Sequence, residues 1–365
     1  MMNPGKPVTI TDVARHAGVS ISTVSRVLNG VGNVDGRLAE QVQAAASALE
    51  HQPNRAARML AGNRSAIVGL LITDAQNPFF MELARGVEDV LYCRGYLLVL
   101  CNSADDPVRE HQYIDVLCAE HVAGVIIVPL AERHPHLQPL HQRGIPYITV
   151  DRRVHSRLAD AVLIDNVLAA REAVAHLIAN GYRRIGVITG PANTTTADDR
   201  LAGYRLALRD AGIAHDAALE RRGVFTQESG WQLADSVLGV SPPPDALFTC
   251  NNRITVGALK ALAARGLRVP QDVALVGFDQ VPTLDATSMA LTTVVQPAYD
   301  LGATAANRLI ERLGQRRQLP RQEIVLAHHL HVGASSGPGA GAASPNVAAT
   351  RTWSATAPEP RHALG

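Results

Sequence analysis

The chain has 365 residues, 47% of them hydrophobic and 18% charged, and carries a formal net charge of +1. Those fractions exclude wholesale disorder, the length exceeds one ordinary domain, and the near-neutral balance neither demands nor excludes a nucleic-acid partner. The longest apolar runs, such as 68–72 and 124–128, are too short to span a bilayer, and no secretory signal opens the chain. Four cysteines (Cys93, Cys101, Cys118, Cys250) contain no C-x-x-C pair. The composition therefore predicts a protein of the reducing cytoplasm, with no membrane partner, disulfide framework, metal or cofactor.

In chain order, residues 8–52 read as three short helices without a strand, inside a head spanning 1–52. Thr9 or Thr11 caps a first helix bearing Ile10, Val13, Ala14 and Ala17 at helical spacing, and Gly18 supplies the turn. Ser20 caps a second helix that turns Val24, Val27 and Leu28 inward and Ile21, Ser22, Ser25 and Arg26 outward. A third helix, capped near Asp35, carries Leu38, Val42, Ala45 and Leu49 on one face. Small hydroxyls permit close approach to a major groove, and an arginine bridges the O6 and N7 acceptors of guanine, so the pattern suits a helix-turn-helix DNA reader. A plain three-helix bundle has the same periodicity. Residues 1–62 hold six Lys/Arg against four Asp/Glu, a surplus of +2 that is compatible with phosphate contact without being diagnostic. PNRAARMLAG (53–62) follows, and on its residues alone it is an interdomain linker with Leu60 packing on a core.

From Ala66 to Gly333, strand-like and helical stretches alternate. The strands are AIVGLLIT (66–73), YLLVLCNS (96–103), GVIIVPL (124–130), YITVDR (147–152), AVLIDN (161–166), RIGVITG (184–190), ALFTCNN (246–252) and VALVGFD (273–279). Helices include 79–94, 167–180, 200–211 and 253–265. Continuously apolar strands alternating with helices predict parallel sheets covered on both faces. Eight strands exceed one comfortable domain, so we divide them into two doubly wound lobes, 66–162 plus 293–320 and 163–292 plus 321–333. Ligands of such sheets bind at the carboxyl ends of the strands, here in a cleft expected between the lobes.

The polar residues at those ends are the binding candidates. Asp74, Asn77 and Phe79 follow the first strand, and Asp151 and Arg152 end the fourth, with Arg153 beside them. Thr195 precedes a helix opened by Arg200, Phe225 precedes another, Asn251 and Asn252 end ALFTCNN, and Asp279 ends VALVGFD. Carboxylates, amides and an arginine form multidentate hydrogen bonds to vicinal hydroxyls, and the two phenylalanines flank a ring. Asp165, Asn166 and Asp279 read equally well as helix caps or turn formers.

Enzyme readings lack their motifs. No G-x-G-x-x-G follows the first strand, and no phosphate loop or H-E-x-x-H occurs. His328, His329 and His331 read as a strand surface rather than a metal cluster. After Ala334 the composition turns to Gly, Ala, Ser, Pro and Thr, so 334–365 is expected to be disordered, and its prolines rule out a coiled coil there.

Together, VTITDVARHAGVSISTVSRVLNG (8–30), PNRAARMLAG (53–62), SAIVGLLITDAQNPFF, RRIGVITGP, RLAGYR, DVALVGFD and LTTVVQP resemble the LacI/GalR bacterial repressors over residues 8 to about 333. The resemblance implies an all-α helix-turn-helix head and hinge helix joined to an α/β, periplasmic-binding-protein-like pair of lobes. It implies a non-enzymatic homodimer that reads a pseudopalindromic operator under the control of a sugar, sugar acid or nucleoside. Ser20, Ile21, Ser22 and Arg26 fall where the family contacts bases, and Thr9, Thr23, Ser25 and Asn29 where it supports the phosphate backbone. Residues 53–65 match the hinge helix and linker. Leu60 matches the leucine wedged into the minor groove, accompanied by Asn54, Ala57 and Arg58. The family commonly has Asn-Asp where this chain has Asn251-Asn252, a departure that makes an anionic or differently hydroxylated effector plausible. A cytoplasmic sugar-binding protein or an enzyme on the same two lobes is the alternative reading, and the helix-turn-helix counts against both.

Overall fold

The computed structural model describes residues 8–29, 34–49, 65–155, 159–282, 290–314 and 320–338. The head is three helices, α1 (Ile10–Ala17), α2 (Ile21–Asn29) and α3 (Gly36–Ala48). Val13, Ala14, Ala17, Val24, Val42 and Ala45 form its core. Thr9 precedes α1, and the Asp12 carboxylate reaches back to accept from Thr9 N (3.0 Å) and Thr9 Oγ1 (2.6 Å). That arrangement satisfies donors a helix start leaves open. Gly18, at φ +62°, closes α1 in the left-handed conformation that a side chain would strain. Gln41 Nε2 donates to Ala17 O across the bundle at 2.9 Å. Leu38, expected inward, is 37% exposed, and on α3 the core is carried by Val42 and Ala45 instead.

Beyond the head the chain runs β1 (Ile67–Ile72), α4 (Pro78–Tyr92), β2 (Leu97–Asn102), α5 (Pro107–Ala119), β3 (Gly124–Ile127), α6 (Gln138–Gln142), β4 (Tyr147–Val150), β5 (Asp160–Ile164) and α7 (Asn166–Ala179). It continues with β6 (Ile185–Thr189), α8 (Thr195–Asp210), β7 (Glu220–Arg222), α9 (Gln227–Leu238), β8 (Ala246–Thr249), α10 (Asn252–Ala264) and β9 (Ala274–Phe278). It ends with β10 (Thr292–Val295), α11 (Ala298–Gly314), β11 (Glu323–Leu326) and β12 (His329–His331). The described residues fall into two compact units, one of those up to 76 with those in 80–163 and 298–324, the other of 77–79 with those in 164–297 and from 325 on.

The first lobe is a six-stranded sheet ordered β11-β5-β4-β3-β1-β2. β1 runs parallel to β2 and β3, β3 to β4, and β4 to β5. β3, β4 and β5 are buried throughout, as continuous apolar runs require when helices cover both faces. Asp160, at the start of β5, has no exposure, yet it accepts from Arg308 Nε (2.7 Å), Arg312 Nε and Nη2 (2.6 Å each) and Gln322 N (2.7 Å). This carboxylate ties β5 to α11 and to the segment entering β11. α11 crosses α4 with backbones nearly touching: a Cβ on Gly302 would stand 2.0 Å from Leu83 O.

The second lobe is a six-stranded sheet ordered β12-β10-β9-β8-β6-β7. β8 runs parallel to β6 and β9, β10 parallel to β9, and β12 antiparallel to β10, with Val295 opposite His329. The division differs from the one expected at 293 and 321. β10 belongs here because Thr292 and Thr293 register with Val276 and Gly277 of β9, whereas β11 stands at the edge of the first sheet. Residues 334–338, expected to belong to a disordered tail, instead form a docked turn. Ser335 and Ser336 are buried, Ser335 Oγ donates to Leu275 O at 2.7 Å, and Asn180 Nδ2 donates to Ser336 O at 2.7 Å. Small hydroxyl residues fit here because Ser335 Oγ also accepts from Thr292 N at 2.8 Å, and Ser336 Oγ lies 2.8 Å from His176 Nε2 and 2.5 Å from Thr292 Oγ1. The rest of the expected tail lies outside the described residues.

Candidate functional site

Three sets of residues carry chemistry. In the head, Ser20 precedes α2 and its Oγ accepts from Thr23 N at 3.1 Å, so it caps the helix. The same oxygen lies 2.8 Å from both Ser22 Oγ and Thr23 Oγ1. Ile21, Ser22 and Arg26 are exposed, and Ser25 and Thr23 are half-buried. Thr9 Oγ1 is engaged with Asp12. The side chain of Asn29, and all of Asn54, Ala57, Arg58 and Leu60, lie outside the described residues.

In the second lobe the strand-end residues form one polar set. Arg200 is buried in α8, which begins at Thr195 rather than at Arg200, so the arginine stands in the second turn. Its Nε donates to Asn166 Oδ1 and its Nη1 to Cys250 O, both at 2.7 Å, and the guanidinium lies 3.6 Å from the centre of the Phe278 ring. Asp165 caps α7, which releases Asn166 for Arg200. Asn251 caps α10, accepting from Arg253 N and Ile254 N. Its neighbour Asn252 donates through Nδ2 to Asn77 Oδ1 (2.8 Å) and Gln280 O (3.3 Å). Asp279, at φ +69° just past β9, accepts from Gln296 Nε2 at 2.7 Å. A non-glycine residue held in that conformation marks a position fixed by its surroundings.

Two buried acceptors in this set, Asn252 Oδ1 and Gln296 Oε1, have no hydrogen-bond partner among the described residues. Asn77 Oδ1 also accepts from Phe79 N at 3.0 Å. Phe225 packs over Gly190 at the end of β6, where a Cβ would stand 2.2 Å from the ring. Thr195 is buried at the start of α8. Gln296 is not among the residues singled out from sequence, and Asn166 reads there as a helix cap or turn former. The available signal for Gln296 was a polar side chain directly after the apolar TTVV.

In the first lobe, Asp151 follows β4 at φ +65° and is buried, as is Arg152. Arg152 stands 3.7 Å from both Asp151 and Asp105, and its Nη1 donates to Pro129 O at 3.5 Å. Burial raises the Asp105 carboxyl above its usual range, and Arg152 pulls it back. The loop after β3 is held from its other side by Glu110, which accepts from Leu130 N at 3.2 Å and lies 2.6 Å from His134 Nε2. Asp74 accepts from Gln76 N at 2.9 Å.

The remaining candidates have plainer roles. His328 Nε2 lies 2.9 Å from Glu172, and His329 and His331 are exposed on β12. Among the described residues no group of three or more His, Cys, Asp or Glu is disposed to hold a metal ion. The four cysteines are free, and burial pushes the Cys250 thiol up to about 12 and Cys101 to about 11, so neither is a thiolate nucleophile near neutrality. No helix among the described residues is long and apolar enough to cross a membrane.

A helix-turn-helix head followed by two parallel-sheet lobes with polar strand ends defines a ligand-responsive DNA-binding regulator. Residues 9–54 match the profile described as bacterial regulatory proteins, lacI family, and residues 174–336 match a periplasmic binding protein-like domain. The ribose operon repressor of Halalkalibacterium halodurans is 37% identical over 308 residues, 84% of this chain and 91% of that one. Among solved structures, the regulator CelR in complex with cellobiose is 33% identical, with a TM-score of 0.69 over 90% of this chain and 99% of that one. The lac repressor dimer bound to operator and an anti-inducer is 28% identical, with a TM-score of 0.78 over 91% of this chain and all of that one. The chain belongs to the LacI family of bacterial regulators. It is a DNA-binding transcriptional repressor and not an enzyme.

Proposed function

We propose that this repressor binds a pseudopalindromic operator as a homodimer and that a small polyhydroxylated metabolite controls its affinity. The observation that carries the effector class is the two buried acceptors Asn252 Oδ1 and Gln296 Oε1, the second on an amide that donates to the Asp279 carboxylate. Buried polar groups are costly without partners, and groups that only accept call for a ligand that donates. Hydroxyls do so. A carboxylate would set acceptor against acceptor, so among sugars, sugar acids and nucleosides a neutral sugar fits best. The name of the ribose operon repressor and the cellobiose held by CelR support carbohydrate chemistry. The effector residues proposed in the second lobe are Arg200, Asn252, Asp279, Gln296, Phe225, Thr195, Asn77 and Phe79; Asp74, Asp151 and Arg152 are proposed separately in the first.

A thermal-shift screen against sugars, sugar acids, polyols and nucleosides tests this reading. A ligand at a thousand times its Kd adds about 4 kcal/mol of stability. The expected result is a neutral sugar whose shift disappears in Gln296→Leu; a panel with no hit overturns the effector class. Operator and effector then modulate each other's binding reciprocally, by about 1–3 kcal/mol.

Residues 53–62 serve in this proposal as the hinge, with Leu60 as the wedge and Asn54, Ala57 and Arg58 beside it. Leu60→Ala is expected to weaken operator binding at least tenfold while leaving the thermal shift by effector intact. Gel-shift titration reads the first and the screen the second; unchanged operator affinity removes the hinge assignment.

A further inference from the structure

The N-terminal turn of α2 holds two kinds of side chain. Its hydroxyls are committed to one another: Ser20 Oγ caps the helix through Thr23 N and stands 2.8 Å from Ser22 Oγ and Thr23 Oγ1. Ile21 is different, with no hydrogen-bonding capacity and 49% of its surface exposed. Of the large apolar side chains in the described head it is the most exposed, while Val24, Val27 and Leu28 on the same helix pack into or against the core. A single exposed isoleucine on an arbitrary surface needs no explanation. This one occupies the first turn of the second helix of a helix-turn-helix, the part that meets base edges in the major groove. Each base pair presents hydrogen-bonding atoms there, and only thymine presents an apolar group, its C5-methyl.

We propose that Ile21 reads thymine by packing on its C5-methyl, so that each operator half-site carries a thymine selected by that methyl rather than by hydrogen bonding. The proposal rests on α2 being the helix that enters the groove, and it adds the chemical feature that this position recognises. Arg26, exposed later on the same helix, supplies the hydrogen-bonded readout by its fork, and the committed hydroxyls of Ser20 and Ser22 leave the methyl contact to Ile21.

The experiment selects bound duplexes from a random-sequence library with the purified full-length protein. It then replaces each thymine of the selected half-sites with deoxyuridine, which keeps every hydrogen-bonding group and removes only the methyl. Burial of one methyl-sized group corresponds to about fourfold in affinity, so one position should lose about fourfold per half-site and about 15-fold when both are replaced. In Ile21→Ala that ratio should fall to about one at the same position and stay unchanged at others, while Ile21→Val retains part of it. Ile21 is exposed, so the variants should keep the parent's melting temperature. Deoxyuridine with no effect at any thymine, or an effect that persists in Ile21→Ala, overturns the proposal with the DNA-reading role of α2 intact. A selection that returns no preferred sequence overturns both.

Discussion

Asp160→Asn is expected to lower the unfolding free energy of the first lobe by about 3–5 kcal/mol, the cost of removing one member of a buried ionic cluster. Asp160 is wholly enclosed and answers two guanidiniums and one backbone N–H at 2.6–2.7 Å. Asparagine occupies the same volume, but it leaves Arg308 and Arg312 without their carboxylate and presents N–H groups to donors. Replacing the whole cluster with apolar residues would be a different and milder experiment, because it strands no charge.

Burial pushes the Asp160 carboxyl upward, but the hydrogen bonds from Arg312, Gln322 N and Arg308 outweigh it and hold the net value below the usual range. A carboxyl lowered on folding stabilises the lobe above its unfolded value, near pH 4, and loses that contribution as pH falls through the folded value. The gap in urea midpoint between the parent and Asp160→Asn should therefore be full at pH 7 and shrink below about pH 4. Equal midpoints at pH 7 would mean that the two arginines relax into solvent and that the cluster holds nothing together.

The parts of the molecule legible in sequence are those where local chemistry and burial coincide. IVGLLI, GVII and ALVGF are apolar throughout, and DAVLI is apolar after Asp160, as strands are when helices cover both their faces. ERR in β7 and HLH in β12 are edge pieces of three residues with little burial, so nothing in their composition distinguishes them from loops. TTVV of β10 fits a strand of either sheet by its residues alone, and only its register with β9 places it in the second.

The same limit applies to the polar set. Asp279 and Asn252 stand at strand ends that the apolar runs already located. Gln296 stands after a strand whose sheet only register reveals, and Asn166 is left to Arg200 because Asp165 does the capping. The departure at Asn252 also acquires a reason. Its Nδ2 donates to Asn77 Oδ1 and Gln280 O, and an aspartate there would face two acceptors with a third. Asparagine is the residue these neighbours require, so the departure by itself gives no argument for an anionic effector.

Arg200→Ala is expected to abolish the effector response. Arg200 spends Nε on Asn166 and Nη1 on Cys250 O, and its guanidinium lies 3.6 Å from the centre of the Phe278 ring. A guanidinium held at three points is already oriented, so little entropy is lost when a ligand oxygen accepts from it. A charge-assisted hydrogen bond of that kind contributes about 2–3 kcal/mol, or roughly 30- to 150-fold in Kd. Alanine also strands Asn166 Oδ1 and Cys250 O, which should cost the second lobe about 2 kcal/mol, within the margin of a folded domain. Arg200→Lys separates the two effects: it keeps the charge but cannot span Asn166 and Cys250 O while stacking on Phe278. If Arg200 acts on the ligand, the lysine variant recovers stability without recovering the thermal shift by effector or its action on operator binding. If both variants respond to effector with the parent's dose dependence, Arg200 is a structural strut of the second lobe, and the effector set contracts to Asn252, Asp279 and Gln296.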